Sequence, residues 1–435
     1  MPKYLVHGDQ DFIGQLRQLV GRKAERSPEV AERVASIIEQ VRAHGDEALI
    51  SLTKSLDGHE ISTDSIRLSD AQIQESLGRT PDDVIKALEF AAERIRRFHM
   101  LQMPKDITSE DGAGGEYALR WVPVDAAGLY VPGGQASYPS SVLMNAIPAL
   151  TAGVSRLAMV VPTPKGVRND AVVAAAHVAG VTEIYCVGGA QAVAALALGT
   201  DSMAPVDVIV GPGNAYVAEA KRQLFGQVGI DMVAGPSEVL VVADHGLDPS
   251  IAAMDLLAQA EHDADAQSIL LTDDVEYGRQ VSEAVEKHLG SLSRSEIAGA
   301  SWEHNGGVLV APRDEFAEII NLIAPEHLEL AISEPEEISA KVRHAGAIFV
   351  GNNTPEAVGD YVGGPNHVLP TSGSARFSSG LSVFDFLKRS TLLTCTQESL
   401  GILGPVAAIL ADAEGLSAHA ASVRMRLDGG NSDQG

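Results

Sequence analysis

The chain has 435 residues, of which 45% are hydrophobic, and its mean hydropathy is +0.06. These values predict a folded protein with more than one core and exclude a largely disordered chain. The formal net charge of −26 argues against binding to nucleic acid or to an anionic membrane surface.

No apolar stretch reaches the roughly 20 residues that a membrane-spanning helix needs, and the first residues do not resemble an export signal. We therefore expect a cytoplasmic location. The two cysteines, Cys186 and Cys395, cannot form a disulfide framework. Both lie in apolar sequence, which predicts packing roles and not reactive thiols.

Apolar residues at helical spacing predict helices through the first 105 residues. From about residue 116 the pattern changes to short β-branched runs, each followed by a glycine turn and an alanine-rich helix. Four such units in series predict a doubly wound parallel sheet.

A second series of β-α units follows, so we expect an α/β protein with two Rossmann-like, doubly wound parallel-sheet domains. The second domain is expected to pack with the N-terminal helices, and the residues after about 380 predict a helical C-terminal tail. The predicted segments are an N-terminal helical extension (1–25), one α/β domain made of 26–125 and 236–378, another α/β domain (126–235) and the tail (379–435).

Two glycine loops follow predicted strands, GPGNAY at 211–216 and VGGAQA at 187–192. Neither is a complete G-x-G-x-x-G fingerprint, and each is compatible with an ordinary packing turn. Both are expected at the carboxyl ends of parallel strands, where open sheets bind ligands and helix starts present N–H groups to a pyrophosphate. Dinucleotide binding and simple packing therefore both stay open for these loops.

Gln259 and His262 are three residues apart on a predicted helix, so they are expected to share one face. Asp360 lies in a polar, glycine-rich segment, and His419 follows Glu414 in the tail. An amide, two imidazoles and a carboxylate would form a mixed nitrogen and oxygen site suited to zinc. A lone histidine on a helix is more often structural, and this alternative stays open.

Glu326 and His327 are adjacent at a predicted helix-to-strand junction. Removal of a hydride from an alcohol needs a base for the hydroxyl proton, and oxidation of an aldehyde needs an activated water. Histidine and glutamate suit these two tasks. The alternative interpretation is a solvated pair of residues in a loop.

Taken together, eight stretches resemble the histidinol dehydrogenase family, and the likeness is weaker only over the first ~110 residues. The stretches are GLYVPGG (128–134), VGGAQAVAALALGT (187–200), VGPGNAYVAEAK (210–221), IDMVAGPSEVLVVAD (230–244), DLLAQAEHD (255–263), APEHLEL (324–330), GDYVGGPNHVLPT (359–371) and AEGLSAHA (413–420).

The resemblance implies oxidation of L-histidinol through histidinaldehyde to L-histidine, the last steps of histidine biosynthesis, with two hydride transfers to two NAD molecules. It assigns NAD to residues 126–235, and metal and substrate to 26–125 with 236–378. Glu326 would activate water and His327 would act as the general base. The implied ligands of one zinc ion per subunit are Gln259, His262, Asp360 and His419.

The implied substrate contacts are Ser237, Gln259, His262, His327, Asp360, Glu414 and His419. The implied NAD contacts are Tyr130, Gln191 and Asn214. His367 is expected in the wall of the site and not on the metal. The family also implies a domain-swapped homodimer, in which the tail with Glu414 and His419 completes the site of the other subunit.

Two other functions stay open. A paralogue would oxidise a sulfonated diol with the same zinc and NAD, but Glu414 suits a cationic imidazole better than an anionic sulfonate. A nucleotide- or metal-binding protein without catalysis is the second alternative, and the intact pair of Glu326 and His327 argues against it.

Overall fold

The computed structural model describes residues 2–21, 27–133 and 138–429 of the chain. Contacts divide the chain into two compact units, Met1–Gln102 with Asp125–Phe386, and Met103–Val124 with Leu387–Gly435. The predicted boundary between residues 25 and 26 lies outside the described residues, as do the last glycine of the GLYVPGG motif and residues 430–435 of the tail.

The structure consists of strands and helices that alternate through most of the chain. The strands are β1 (Lys3–Val6), β2 (Ile107–Glu110), β3 (Glu116–Pro123), β4 (Ala126–Tyr130), β5 (Arg156–Val160), β6 (Glu183–Tyr185), β7 (Val208–Val210), β8 (Gly229–Ile230), β9 (Glu238–Ala243), β10 (Gln267–Thr272), β11 (Gly307–Val310), β12 (His327–Ala331), β13 (Ala347–Val350) and β14 (Leu387–Thr394). The helices are α1 (Phe12–Gly21), α2 (Pro28–Asp57), α3 (Asp70–Arg79), α4 (Asp82–Met100), α5 (Pro139–Ala152), α6 (Asp170–Ala179), α7 (Gly189–Leu198), α8 (Ala215–Leu224), α9 (Pro249–Ala260), α10 (Val275–Leu289), α11 (Ser295–Asn305), α12 (Phe316–Ile323), α13 (Pro335–Ser339), α14 (Glu356–Val358), α15 (Gln397–Ala413) and α16 (Ser417–Gly429). Among these described helices, none is long and apolar enough to cross a membrane.

The first unit contains a five-stranded sheet with the order β6-β5-β4-β7-β8, in which all neighbours are parallel. The central strand β4 comes first in the chain, the next two strands lie on one side of it, and the last two lie on the other. The winding therefore reverses between β4 and β7, as in doubly wound sheets. The predicted parallel sheet is confirmed.

A six-stranded sheet in the same unit has the order β1-β11-β10-β9-β12-β13, and it is also parallel throughout. β9 takes the place that β4 has in the other sheet, so the two sheets share one winding. β1 extends this sheet at its edge. The prediction of an entirely helical start was wrong here, because a four-residue strand that pairs with the distant β11 leaves almost no local pattern.

The N-terminal helices divide between the two sheets. Phe12, Leu16 and Leu19 of α1 belong to the hydrophobic core of the six-stranded sheet. Val34 and Ile38 of α2 instead join the core that contains the five-stranded sheet and its helices. The expectation that the N-terminal helices pack with the second sheet is therefore correct for α1 and wrong for α2.

The second unit is a three-stranded antiparallel sheet, with the order β14-β3-β2, together with α15 and α16. The predicted helical tail is confirmed in α15 and α16, but the segment predicted as helical tail from residue 379 also contains the strand β14. Most residues of these strands are exposed, so they lack the alternation of buried and polar residues that marks a half-buried strand. Only the helical part of the tail could be recognised from the sequence.

Candidate active site

Buried polar side chains gather at the amino-terminal ends of β9 and β12, in the first unit. Glu238 begins β9, His327 begins β12, and Glu326 precedes it directly. All three are at most 5% exposed. Acidic and imidazole side chains are seldom buried this deeply unless they are bonded or functional, so the cluster is the candidate active site.

Local backbone geometry places the Glu326–His327 pair. The helix α12 ends at Ala324, which has a φ of 52°, and the chain turns there into β12. Parallel pairing of β12 with β9 then sets Glu326 beside Glu238, whose backbone N–H donates to Oε2 of Glu326 at 2.8 Å. The predicted helix-to-strand junction is confirmed. Ser237 lies directly before β9, and its carbonyl oxygen accepts from the N–H of Gln267 at 2.9 Å.

Gln259 and His262 come from the end of α9. Gln259 lies in the last turn of the helix and is fully buried. His262 lies in the turn beyond the helix, where its N–H donates to the carbonyl oxygen of Gln259 at 3.1 Å. The prediction that both residues share one helix face is corrected in this respect. The carboxyl end of a helix carries partial negative charge, which favours a cation beside both residues.

The side-chain amide of Gln259 has complementary partners in only one orientation. Its nitrogen then lies 2.9 Å from Oε1 of Glu356, and its oxygen lies 2.7 Å from the backbone nitrogen of Glu238. The opposite orientation would set donor against donor and acceptor against acceptor. Glu356 is therefore part of the site.

Asp360 and His367 come from the segment that follows β13. Asp360 lies in a π-helical turn, Gly359–Gly363, a type of turn that is frequent at functional sites. The backbone oxygen of Asp360 lies 2.9 Å from Nδ1 of His367, and Nε2 of that ring lies 3.3 Å from Oγ of Ser141. Both ring nitrogens of His367 are thus engaged, which is consistent with a place in the wall of the site.

His327 is surrounded by carboxylates. Its Nδ1 lies 3.6 Å from Oε2 of Glu326 and 3.6 Å from Oε1 of Glu356, and its Nε2 lies 3.5 Å from Oδ1 of Asp360. Burial by itself lowers the pKa of His327, but Glu356, Glu326 and Asp360 outweigh it and raise that pKa well above the usual value. These carboxylates therefore favour the protonated ring, and a bound cation that offsets their charge would let the ring release its proton and act as a base.

Burial also shifts the neighbouring acids. It raises the pKa of Glu326 to about 7, so this carboxyl gains and loses its proton near neutral pH. Burial alone would raise the pKa of Asp360, but the neighbouring His327 keeps it below its usual value. The pKa of Glu326 is thus raised and that of Asp360 lowered, and both acids lie beside the imidazole of His327. Such a group of side chains can exchange protons with a substrate.

The donor atoms of the cluster fit a metal ion. His327, Glu356 and Asp360 each offer one ligand atom, and these atoms lie within 4.8 Å of one another. Nε2 of His327, Oε2 of Glu356 and Oδ1 of Asp360 are buried without a hydrogen-bond partner in the described part of the chain. With Gln259 and His262 alongside, the site offers more nitrogen and oxygen donors of the kind that suit zinc than a single ion needs, so not every member of the cluster has to be a ligand.

Glu414 and His419 belong to the second unit. Glu414 follows the last residue of α15, His419 lies in α16, and both are exposed. The cluster of the first unit is formed without them. Their predicted roles therefore stay predictions.

The predicted nucleotide contacts lie at the carboxyl edge of the five-stranded sheet. The hydroxyl of Tyr130, at the end of β4, accepts from the N–H of Gly189 at 3.0 Å, and burial raises its pKa to about 12. Asn214 caps α8, where its Oδ1 accepts from two backbone N–H groups. The amide of Gln191 is 1% exposed and has no hydrogen-bond partner among residues 2–21, 27–133 and 138–429. An unpartnered buried amide at this edge points to a ligand.

A buried ion pair holds the loop after β7. Lys221 and Asp231 have side chains that are 2% and 1% exposed, and they contact each other directly. Nζ of Lys221 donates to the carbonyl oxygen of Gly211 at 2.9 Å. The backbone N–H of Gly211 in turn donates to Oδ2 of Asp231 at 2.8 Å. Both backbone groups of Gly211, at a φ of 112°, are thereby fixed.

A cavity of about 370 Å³ also opens at this edge, beside the ends of β4, β5 and β6. Pro132, Pro162 and Cys186 are among the residues that line it. Cys186 is buried, and burial raises the pKa of its thiol to about 11, so its predicted packing role holds. Cys395 is exposed, so the packing role predicted for it was wrong.

Comparisons with known proteins show which family the chain belongs to. The family model for histidinol dehydrogenase matches residues 20–427. The chain is 57% identical to the histidinol dehydrogenase of Ruegeria pomeroyi, over 98% of this chain and 99% of that one. The chain belongs to the histidinol dehydrogenase family. The family assignment made from the sequence is confirmed, and with it the assignment to the NAD-dependent oxidoreductases.

Two further histidinol dehydrogenases support the assignment. The chain is 56% identical to that of Cereibacter sphaeroides, over 98% of this chain and 99% of the relative. The crystal structure of histidinol dehydrogenase from Elizabethkingia anophelis matches with a TM-score of 0.93 and 36% identity, and 99% of each chain is covered. The mixed α/β architecture is therefore that of the family.

Sequence reasoning missed Glu356 and the pair of Lys221 and Asp231. Glu356 lies four residues before Asp360 in the same polar segment, and this spacing was the available signal. Lys221 ends the VGPGNAYVAEAK stretch, but a lysine in a helix gives no sign that it is buried.

Proposed function

We propose that the chain is a zinc-dependent, NAD-linked enzyme that oxidises L-histidinol through histidinaldehyde to L-histidine. The observation that carries the proposal is the buried Glu326–His327 pair, beside Gln259, His262 and Asp360. Family membership supplies the substrate, since the relatives are named histidinol dehydrogenases. The biosynthetic reaction is consistent with the expected cytoplasmic location.

Gln259, His262 and Asp360 would hold zinc together with His419. When bound, the zinc ion would supply a positive charge that helps to position the substrate. The unpartnered Oδ1 of Asp360 and the acidic surroundings support a cation at this place. Ser237 and Glu414 complete the proposed contacts with the substrate.

In the first step His327 takes the proton of the substrate hydroxyl while the carbon-bound hydrogen leaves as hydride to NAD. The products are the aldehyde, NADH and a proton. Because Nδ1 of His327 faces the carbonyl oxygen of Glu238 at 3.1 Å, Nε2 is the nitrogen that can act as the base.

In the second step Glu326 takes a proton from the water that adds to the aldehyde. The hydrate would then lose a second hydride to a second NAD, which would leave the carboxylate of histidine as the product. This route needs no thiol nucleophile, which agrees with the buried, weakly acidic thiol of Cys186.

NAD would bind at the carboxyl edge of the five-stranded sheet, through Tyr130, Gln191 and Asn214. The unpartnered amide of Gln191 and the cavity at that edge support this location. Residues 126–235 would then form the NAD-binding domain, and 26–125 with 236–378 the domain for metal and substrate.

A domain-swapped homodimer is the proposed assembly, with Glu414 and His419 of the partner subunit completing each site. Large apolar side chains on α15 are exposed, with spacing that places them near one another on the helix surface. They are Ile402, Val406, Ile409 and Leu410. Exposed apolar patches of this kind mark interaction surfaces.

The reaction stoichiometry tests the proposed function. We expect two NADH for each L-histidinol consumed, with L-histidine as the product and with loss of activity after treatment with a metal chelator. Oxidation of a sulfonated diol alone would favour the paralogue, which would use the same zinc and NAD. Binding of NAD and Zn²⁺ without turnover of either alcohol would favour a non-catalytic protein.

A further inference from the structure

The two ends of the Gln259 side chain differ in what they can bind. The amide oxygen accepts hydrogen bonds and can ligate a cation, whereas the amide nitrogen only donates. A half-turn of this amide would exchange the positions of the oxygen and the nitrogen, so only one of its two orientations can serve a metal. Something must fix the orientation.

Glu356 makes the contact that distinguishes the two ends. Its Oε1 lies 2.9 Å from the amide nitrogen of Gln259, while the amide oxygen faces the backbone nitrogen of Glu238 at 2.7 Å. That N–H also donates to Oε2 of Glu326 at 2.8 Å. Because the N–H is shared between two acceptors, it holds the amide of Gln259 only in part.

Glu356 is itself held firmly. It is 5% exposed, and its backbone N–H donates to Oε1 of Glu329 at 2.5 Å. Glu329 is 3% exposed and belongs to β12, two residues after His327. The backbone that carries the Glu356 side chain is thus tied to the strand that carries the proposed base.

We propose that Glu356 is a positioning residue, which binds the amide nitrogen of Gln259 and so keeps the amide oxygen as the atom offered to the metal. The inference rests on the proposed zinc site. Glu356 is close enough to His327 and Asp360 to be considered a ligand itself. The contact of its Oε1 with the amide of Gln259 favours the positioning role.

Zinc affinity tests the proposal without reference to turnover. Zn²⁺ alone is titrated into the metal-free full chain in competition with a chromogenic chelator. We expect Glu356→Leu to weaken zinc binding by about 10- to 100-fold, the usual effect of losing a group that orients a ligand. Glu356→Gln retains an acceptor oxygen and should bind zinc nearly as well as the unsubstituted chain. Glu318→Leu, at an exposed position on α12, is the matched control and should change nothing.

A double-variant cycle separates positioning from direct ligation. If Glu356 acts through Gln259, Glu356→Leu should cause no further loss of affinity in a chain that already carries Gln259→Leu. Losses that multiply, or a loss in Glu356→Gln as large as in Glu356→Leu, would show that the Glu356 carboxylate contacts the metal. An unchanged affinity in Glu356→Leu would also overturn the proposal.

An exchange of the two residues covers the case in which Glu356→Leu does not fold. The double variant Gln259→Glu with Glu356→Gln keeps one amide and one carboxylate in contact, and the total charge is unchanged. We expect it to bind zinc more tightly than Gln259→Glu alone, and equal affinities would count against positioning. If the unsubstituted chain takes up no Zn²⁺, the proposed zinc site fails, and this inference fails with it.

Discussion

Nε2 of His327 lies 3.5 Å from Oδ1 of Asp360, and both atoms are buried without a hydrogen-bond partner in the described ranges. On the other side of the ring, Nδ1 lies 3.1 Å from the carbonyl oxygen of Glu238. A carbonyl oxygen only accepts, so Nδ1 carries a proton and a neutral ring has its lone pair on Nε2. The backbone of β9 therefore selects the tautomer that a base requires.

His327→Ala should lower kcat by about 100- to 10,000-fold, the usual contribution of a general base. Zinc content should stay near that of the unsubstituted protein, because the proposed role lies outside the metal ligands. Both quantities are measured on the same preparation, by steady-state kinetics and by metal analysis. Gln259→Leu is the comparison that should lose zinc, and loss of zinc in His327→Ala would contradict the assignment.

The pKa of Glu326 predicts the pH dependence of the second step. Burial raises that pKa to about 7, so the ionised carboxylate forms as the pH rises through about 7. Water activation needs the ionised form, and the rate from histidinaldehyde to histidine should therefore rise with pH and become constant above that value. The measurement is a pH series of single-turnover rates that start from the aldehyde.

Glu326→Gln removes the titrating group and serves as the control for that series. It should slow the aldehyde step more than the alcohol step, and it should abolish the rise of the aldehyde rate near pH 7. Equal losses in both steps, or an unchanged pH profile, would argue against water activation by Glu326.

The parallel sheets could be predicted because each β-α repeat carries its own signal, a β-branched run followed by a glycine turn and a helix. β1 and β14 carry no such signal, because each is defined by pairing with a strand that is distant in sequence. A strand of only four residues, or one that is mostly exposed, leaves no periodic pattern for a sequence to show.

For the site as well, the residue types could be predicted but their positions in the fold could not. Glu326, His327 and Asp360 were predicted as residue types within recognisable stretches, and the structure brings these three together. The location of Glu326 and His327 at the amino end of β12 could not be predicted, because ligands of open parallel sheets usually bind at the carboxyl ends. The role of Glu356 depends on the orientation of one amide, and sequence contains no information on that.

The pair of Lys221 and Asp231 predicts an effect on the stability of the fold. Lys221→Met would leave the carboxylate of Asp231 buried without its cation, which should cost about 3 to 5 kcal/mol of unfolding free energy. Adding Asp231→Leu should recover part of that loss, because no uncompensated charge then remains. Equilibrium unfolding in urea measures both variants, and a double variant that is less stable than Lys221→Met would contradict the buried-pair argument.

The same variants test the loop that the pair fixes. Because both backbone groups of Gly211 are held by Lys221 and Asp231, the double variant should raise the KM for NAD more than the KM for L-histidinol. Arg222→Met is a control on the same helix, since the Arg222 side chain is 38% exposed and its ion pair with Glu219 should contribute less than the buried pair. A rise of equal size in both KM values would indicate general loosening of the fold.

Mixed dimers test whether His419 acts on the site of the partner subunit. His262→Asn and His419→Asn should each be inactive alone, because each removes one proposed zinc ligand. In a mixed dimer with exchanged tails, one site would combine both substitutions and the other would have neither. Random reassociation of equal amounts makes about half of the dimers mixed, so about one quarter of the unsubstituted activity should return. If His419 served its own subunit, every site would lack one ligand and the mixture would stay inactive.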